Sequence, residues 1–124
     1  MTLEELKKTL SEASKVFILT DEKVAMFWLR ETEHWLGCGG AVEIVLKPGE
    51  PYKTLQTAQS IWKTLMKHQA DRQAVMVNLG GGVITDLGGF AASCYHRGIR
   101  FVNMPTTLLA MVDAAIGGKP KKAT

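Results

Sequence analysis

The run NLGGGVITDLGGF, Asn78 to Phe90, carries an apolar segment through three glycines straight into a helix-like pattern. Upstream, AVMVNL (Ala74 to Leu79) is continuously apolar except for Asn78, as expected of a strand buried on both faces. Downstream, Val83, Leu87, Phe90, Ala91 and Cys94 fall at helical spacing. Gly88 and Gly89 inside that helix each cost ~1 kcal/mol against alanine, so they are expected to permit close packing. A strand feeding a helix through bare glycine is half of a β-α-β unit.

The same alternation extends in both directions. Thr2 and Glu5 form a capping box before Leu3, Leu6 and Leu10, which repeat at helical spacing. VFILT (Val16 to Thr20) is a compact strand-forming run, and Asp21 can cap the helix pattern of Val24, Phe27, Trp28 and Leu36. Gly37, Gly39 and Gly40 break that helix. Val42, Ile44 and Leu46 alternate with Ala41, Glu43 and Val45 as a strand, stopped by Pro48-Gly49-Glu50-Pro51. Thr54 to His68 is amphipathic with helical period. Gly98 ends the glycine-fed helix, Ile99 to Met104 is a further strand, and Thr107 to Ile116 is a helix apolar almost all round, hence expected to be buried. The order α-β-α-β-α-β-α-β-α predicts an α/β fold, a Rossmann-like open parallel sheet with helices on both faces.

Composition narrows the function. With 124 residues, 46% apolar and 22% charged, the chain reads as one ordinary globular domain. Fifteen basic against 12 acidic residues, without a basic face interleaved with aromatics, argue against nucleic acid as a partner. No apolar run is long enough for a bilayer, and MTLEELKKTL lacks the apolar core of a secretory signal, so a cytoplasmic location and no membrane partner are expected. Cys38 and Cys94 read as reduced thiols. His34, His68 and His96 show no metal-ligand spacing, so no metal is assigned to this chain.

In a parallel sheet, ligands gather where the strands end. Gly80, Gly81 and Gly82 lie at such an end, just before a helix whose first N–H groups are unpaired and carry partial positive charge. One reading is a cradle for the diphosphate of a dinucleotide; the other is a tight turn alone. The stretch is not G-x-G-x-x-G, because Thr85 takes the last glycine's place, and Gly118-Lys119-Pro120 is not a P-loop.

Beyond the glycines, Gly80 to Lys119 closely resembles the N-terminal domain of the 3-dehydroquinate synthase family. It carries GGGV-x-x-D, Y-x-RGI-x-F, PTTLLA-x-VD and IGGK in order, with KPGEPYK (Lys47 to Lys53) upstream matching a G-E-x-x-K element. The resemblance implies an NAD-dependent lyase that also uses a metal, zinc or cobalt, in the full-length enzyme. It converts 3-deoxy-arabino-heptulosonate 7-phosphate to 3-dehydroquinate with loss of phosphate, in the shikimate route to aromatic amino acids. It implies cofactor contacts at Asp21, Glu50, Lys53, Gly81, Gly82, Val83, Asp86, Thr106, Thr107 and Leu109. Asp113 and Lys119 would serve both the cofactor and the substrate, and Arg97 would reach the substrate phosphate of a neighbouring subunit, implying a homodimer.

The family follows IGGK with a second, metal-binding domain, whereas here PKKAT follows. The expectation is therefore residues 1–119 as the NAD-binding domain, 120–124 as an atypical tail, the metal domain absent, and no activity alone. The helix from Thr107 would then expose an apolar patch. Competing readings are a domain of another sugar-phosphate cyclase, a glycerol dehydrogenase-like enzyme, and a non-catalytic nucleotide-binding or structural module.

Overall fold

The computed structural model describes residues 2–49, 54–108 and 111. In chain order these form α1 (Leu3–Glu12), β1 (Val16–Asp21), α2 (Glu22–Leu36), β2 (Val42–Leu46), α3 (Leu55–Lys67), β3 (Val75–Leu79), α4 (Gly82–Cys94) and β4 (Arg100–Met104). Residues 106–108 and 111 are helical. The rest of the last expected helix, Thr107 to Ile116, lies outside the described residues, and the two apolar side chains described there, Leu108 and Met111, are exposed rather than buried.

Each helix begins where its sequence says. Thr2 and Glu5 make both bonds of the capping box, at 3.1 and 3.3 Å. Asp21 Oδ1 accepts from the Val24 N–H at 2.8 Å to start α2, and Thr54 Oγ1 accepts from the Thr57 N–H at 3.2 Å to start α3. Gly37 ends α2 in the left-handed conformation at φ 68°, the conformation for which glycine is favoured at a helix end.

The strands are all parallel, in the order β2-β1-β3-β4. Phe17, Leu19 and Met76 face α3 and α4, while Ile18, Val75, Val77 and Leu79 face α1 and α2, so two cores flank the sheet. All five residues of β3 are buried, the two-sided burial expected of its unbroken apolar run. From β1 the chain leaves towards one edge of the sheet, and from β3 towards the other. The carboxyl ends of these two neighbours are therefore the topological switch point of the fold.

The buried stripe of α4 is Ile84, Leu87, Gly88, Ala91 and Ala92. Phe90 and Cys94, which share the helical spacing of Val83, Leu87 and Ala91, are exposed. Gly88 turns the helix this way, because it seats its backbone on Asn78 of β3. A Cβ at Gly88 would overlap the Asn78 carboxamide. Trp62 Nε1 donates to the Ala91 carbonyl at 2.9 Å and ties α3 to α4, with its ring against Phe90 at 6.0 Å.

Candidate functional site

At the switch point β1 and β3 stop pairing in register after Leu19 and Asn78. Thr20, fully buried, then donates its hydroxyl to the Leu79 carbonyl at 2.7 Å, holding the strand ends together as the backbones part. On the other side of β3, the Gly80 N–H donates to the Met104 carbonyl at 3.1 Å. The glycine turn is thus held from both neighbours, with Asp21 on one side and Thr106 and Thr107 on the other.

The three glycines differ. Gly80 has φ 153°, and a Cβ there would stand 3.2 Å from Ile84, so the turn itself requires glycine. Gly81 and Gly82 need glycine for neither reason. Gly81 has ordinary extended angles, and a Cβ on either residue would meet nothing within 4 Å. The tight turn therefore accounts for Gly80 but not for the next two glycines.

The helix that follows is equally open. α1, α2 and α3 each have a capping side chain, whereas no side chain caps α4. Its first-turn N–H groups, at Gly82, Val83 and Ile84, precede the first helical bond, from Thr85 N to Gly81 O at 3.0 Å. Gly81 and Gly82 are exposed. Together they present uncovered N–H donors at the positive end of a 13-residue helix.

Of the residues singled out in the sequence, Asp21, Gly81, Gly82, Val83, Asp86, Thr106 and Thr107 share this carboxyl edge. Asp21 Oδ1 is committed to its helix cap, accepting from the Val24 N–H. Arg97 stands apart. It lies in the bend between α4 and β4, at the amino edge of the sheet, separated from the glycine turn by the five-residue β3, a rise of about 16 Å. Glu50, Lys53, Leu109, Asp113 and Lys119 lie outside the described residues. Among the described residues no group of three His, Cys, Asp or Glu could hold a metal ion, and no helix is long and apolar enough to cross a membrane.

Two contributors were not recognised as such from sequence. Thr20 had no signal beyond its place at a strand end. Asn78 stood out only as the one polar residue of an apolar strand, yet it seats α4 and donates through Nδ2 to Asn103 Oδ1 of β4 at 3.0 Å.

A parallel sheet in 2-1-3-4 order, with a bare glycine turn and an uncapped helix at its switch point, defines a Rossmann-like α/β domain. The sequence model for the N-terminal part of 3-dehydroquinate synthase matches residues 43–122. A 3-dehydroquinate synthase of Campylobacter jejuni is 47% identical over 106 residues, covering 86% of this chain and 30% of the relative. One from Pseudomonas entomophila is 44% identical over 105 residues, covering 85% and 29%. The chain belongs to the 3-dehydroquinate synthase family and spans about 30% of the length of the curated relatives it matches.

Solved structures share the fold. A 2-deoxy-scyllo-inosose synthase complexed with carbaglucose-6-phosphate, NAD+ and Co2+ superposes with a TM-score of 0.70 at 25% identity, over 84% of this chain and 30% of that one. ValA, the 2-epi-5-epi-valiolone synthase of Streptomyces hygroscopicus, with NAD+ and Zn2+ bound, gives 0.67 at 29% identity, again over 84% and 30%.

Proposed function

We propose that this chain is the NAD-binding part of a 3-dehydroquinate synthase, the lyase that converts 3-deoxy-arabino-heptulosonate 7-phosphate to 3-dehydroquinate on the shikimate route. The observation that carries the reading is the bareness of Gly81 and Gly82, which neither backbone angle nor packing demands. A diphosphate resting there would accept from the N–H groups of Gly82, Val83 and Ile84, and each added methyl group would stand in its way.

The chain's own residues then divide the work. The uncapped first turn of α4 neutralises the diphosphate. Asp21 accepts from a ribose hydroxyl at the end of β1, and Asp86 on α4 does the same for the second ribose. Thr106 and Thr107 close the other side of the crevice, next to Met104 and its bond from Gly80. Glu50, Lys53 and Leu109 complete the cofactor contacts, with Asp113 and Lys119 shared between cofactor and substrate. When bound, NAD supplies a temporary hydride acceptor, so that a ketone can acidify the neighbouring C–H before phosphate leaves. Among the described residues no group of three His, Cys, Asp or Glu could hold a metal ion, and a polypeptide of these 124 residues is read as binding NAD without turnover.

Arg97 cannot serve its own crevice from the opposite edge of the sheet. It is read as reaching the substrate phosphate of a second copy in a homodimer. Among the cyclases, dehydroquinate synthase is preferred because identity to those enzymes reaches 47%, against 25–29% for the inosose and valiolone synthases.

Calorimetric titration with NAD tests the reading, with Gly82→Asp as control. Saturable heat from the native chain that the Asp carboxylate abolishes is expected. No heat from a folded native chain would favour a structural module instead.

A further inference from the structure

The amino edge of the sheet carries a second concavity, a cleft of about 390 Å³ between residues 70–72 and 95–99. Parallel pairing of β3 with β4 brings these two loops together, since each leads into its strand from the same edge. Arg72 stands on one wall and Arg97 on the other, and both are exposed. Neither guanidinium has an ion-pair or hydrogen-bond partner among the described residues. The single carboxylate on the wall, Asp71, is already used: its Oδ1 accepts from Ser14 Oγ at 2.5 Å and from the Gln73 N–H at 2.9 Å. The cleft therefore holds a surplus of positive charge.

The loop that presents Arg97 is rigidly shaped. Its neighbours His96 (φ 50°) and Gly98 (φ 92°) both adopt left-handed angles, which for histidine is a strained conformation. The bend is closed by Gly98 N to Tyr95 O at 2.6 Å and Ile99 N to Ala92 O at 2.9 Å. Tyr95 is buried, and its hydroxyl donates to the Ala70 carbonyl at 3.3 Å, locking one wall of the cleft to the other. Two unpaired planar forks on fixed walls suit a tetrahedral dianion, which can accept several hydrogen bonds from each.

We infer that Arg72 and Arg97 form a two-armed site for a phosphoryl group at the amino edge, with Arg72 the arm that no motif assigns. The inference rests on the proposed role of Arg97 only for the identity of the phosphate carrier; the cleft stands without it. If the phosphoryl group belongs to a sugar phosphate held by a second copy, Arg72 helps to fix its position there.

The test is a 1H–15N NMR titration of the 124-residue chain with inorganic phosphate and, separately, with glucose 6-phosphate. Saturable shifts are expected at the amides of Arg72, Arg97, Gly98 and Ile99. Arg72→Gln and Arg97→Gln should each weaken binding about tenfold at unchanged melting temperature, and Lys63→Gln on α3 should not. Tighter binding of glucose 6-phosphate than of the inorganic ion would assign the site to a phosphate ester; equal binding would assign it to the free ion. Shifts confined to Gly81–Ile84, or an Arg72→Gln chain that binds as well as the native one, would overturn the inference. NAD titrated into the same samples separates the two readings: a chain that binds phosphate through Arg72 but ignores NAD refutes the cofactor proposal and leaves this site standing.

Discussion

Gly88 of α4 rests directly on the carboxamide of Asn78 in β3, which occupies the space where a side chain on residue 88 would begin. Asn78 is fully buried, and its Oδ1 has no hydrogen-bond partner. This contact sets how closely α4 approaches the sheet and so where its first turn points. Gly88→Ala should cost about 1–3 kcal/mol by overpacking. Asn78→Ala opens the space, so the double variant Asn78→Ala/Gly88→Ala should be more stable than the sum of its singles predicts. Urea denaturation of the four proteins measures that coupling, and strict additivity would mean the two residues do not share the space.

The glycine turn separates fold from function one residue at a time. Gly80→Ala meets both a left-handed φ and the Ile84 side chain, so it should lower the melting temperature. Gly82→Ala meets nothing and replaces glycine in a helix, so stability should hold or rise by up to ~1 kcal/mol. NAD affinity should nonetheless fall about tenfold or more in Gly82→Ala. Paired thermal melts and calorimetry check this, and an alanine that leaves both unchanged would remove the argument from bare backbone.

Away from the site, Glu33 of α2 meets Glu43 of β2. Burial, then the hydrogen bond with Glu43 and its charge, push the Glu33 carboxyl up to about 7, against the opposing pull of Arg30. The folded chain therefore keeps a proton that the unfolded chain loses near the ordinary carboxyl value of 4.5. Where the folded state binds more protons, stability falls as pH rises. The melting temperature should drop between pH 4.5 and about 7 and level off above, with Glu43→Gln flattening the slope. An unaltered slope in that variant would show that the two carboxyls do not share the proton.

The two thiols should react very differently. Burial, and after it the charge of Glu33, push the Cys38 thiol up to about 11, while Cys94 is exposed. The thiolate is the reactive form. Iodoacetamide at pH 8 should therefore label Cys94 in the folded protein and reach Cys38 only after denaturation, as peptide mass mapping would record. Equal labelling of both under native conditions would contradict the burial of Cys38.

Strand and helix identity were readable because period and punctuation agree along the chain: capping residues open α1, α2 and α3, and Gly37 closes α2. The buried face of α4 was not legible from apolar spacing alone, since Leu87 and Ala91 are buried while Phe90 and Cys94 at the same spacing are exposed. The residue that turns the helix is a glycine, and Phe90 finds a partial partner in Trp62 while remaining exposed. The three glycines looked equivalent in sequence, and only their angles and surroundings separate the structural one from the two that are bare. The Arg72 and Arg97 cleft was not legible, because its walls lie on loops brought together only by the pairing of β3 with β4.

The most direct measurement is the amide NMR spectrum of the native chain during titration with NAD. The account predicts that the Gly81, Gly82, Val83 and Ile84 N–H resonances move first and furthest, downfield as they donate to phosphoryl oxygens, and that Gly82→Asp abolishes the response. NAD binding that leaves those four amides unmoved would contradict it.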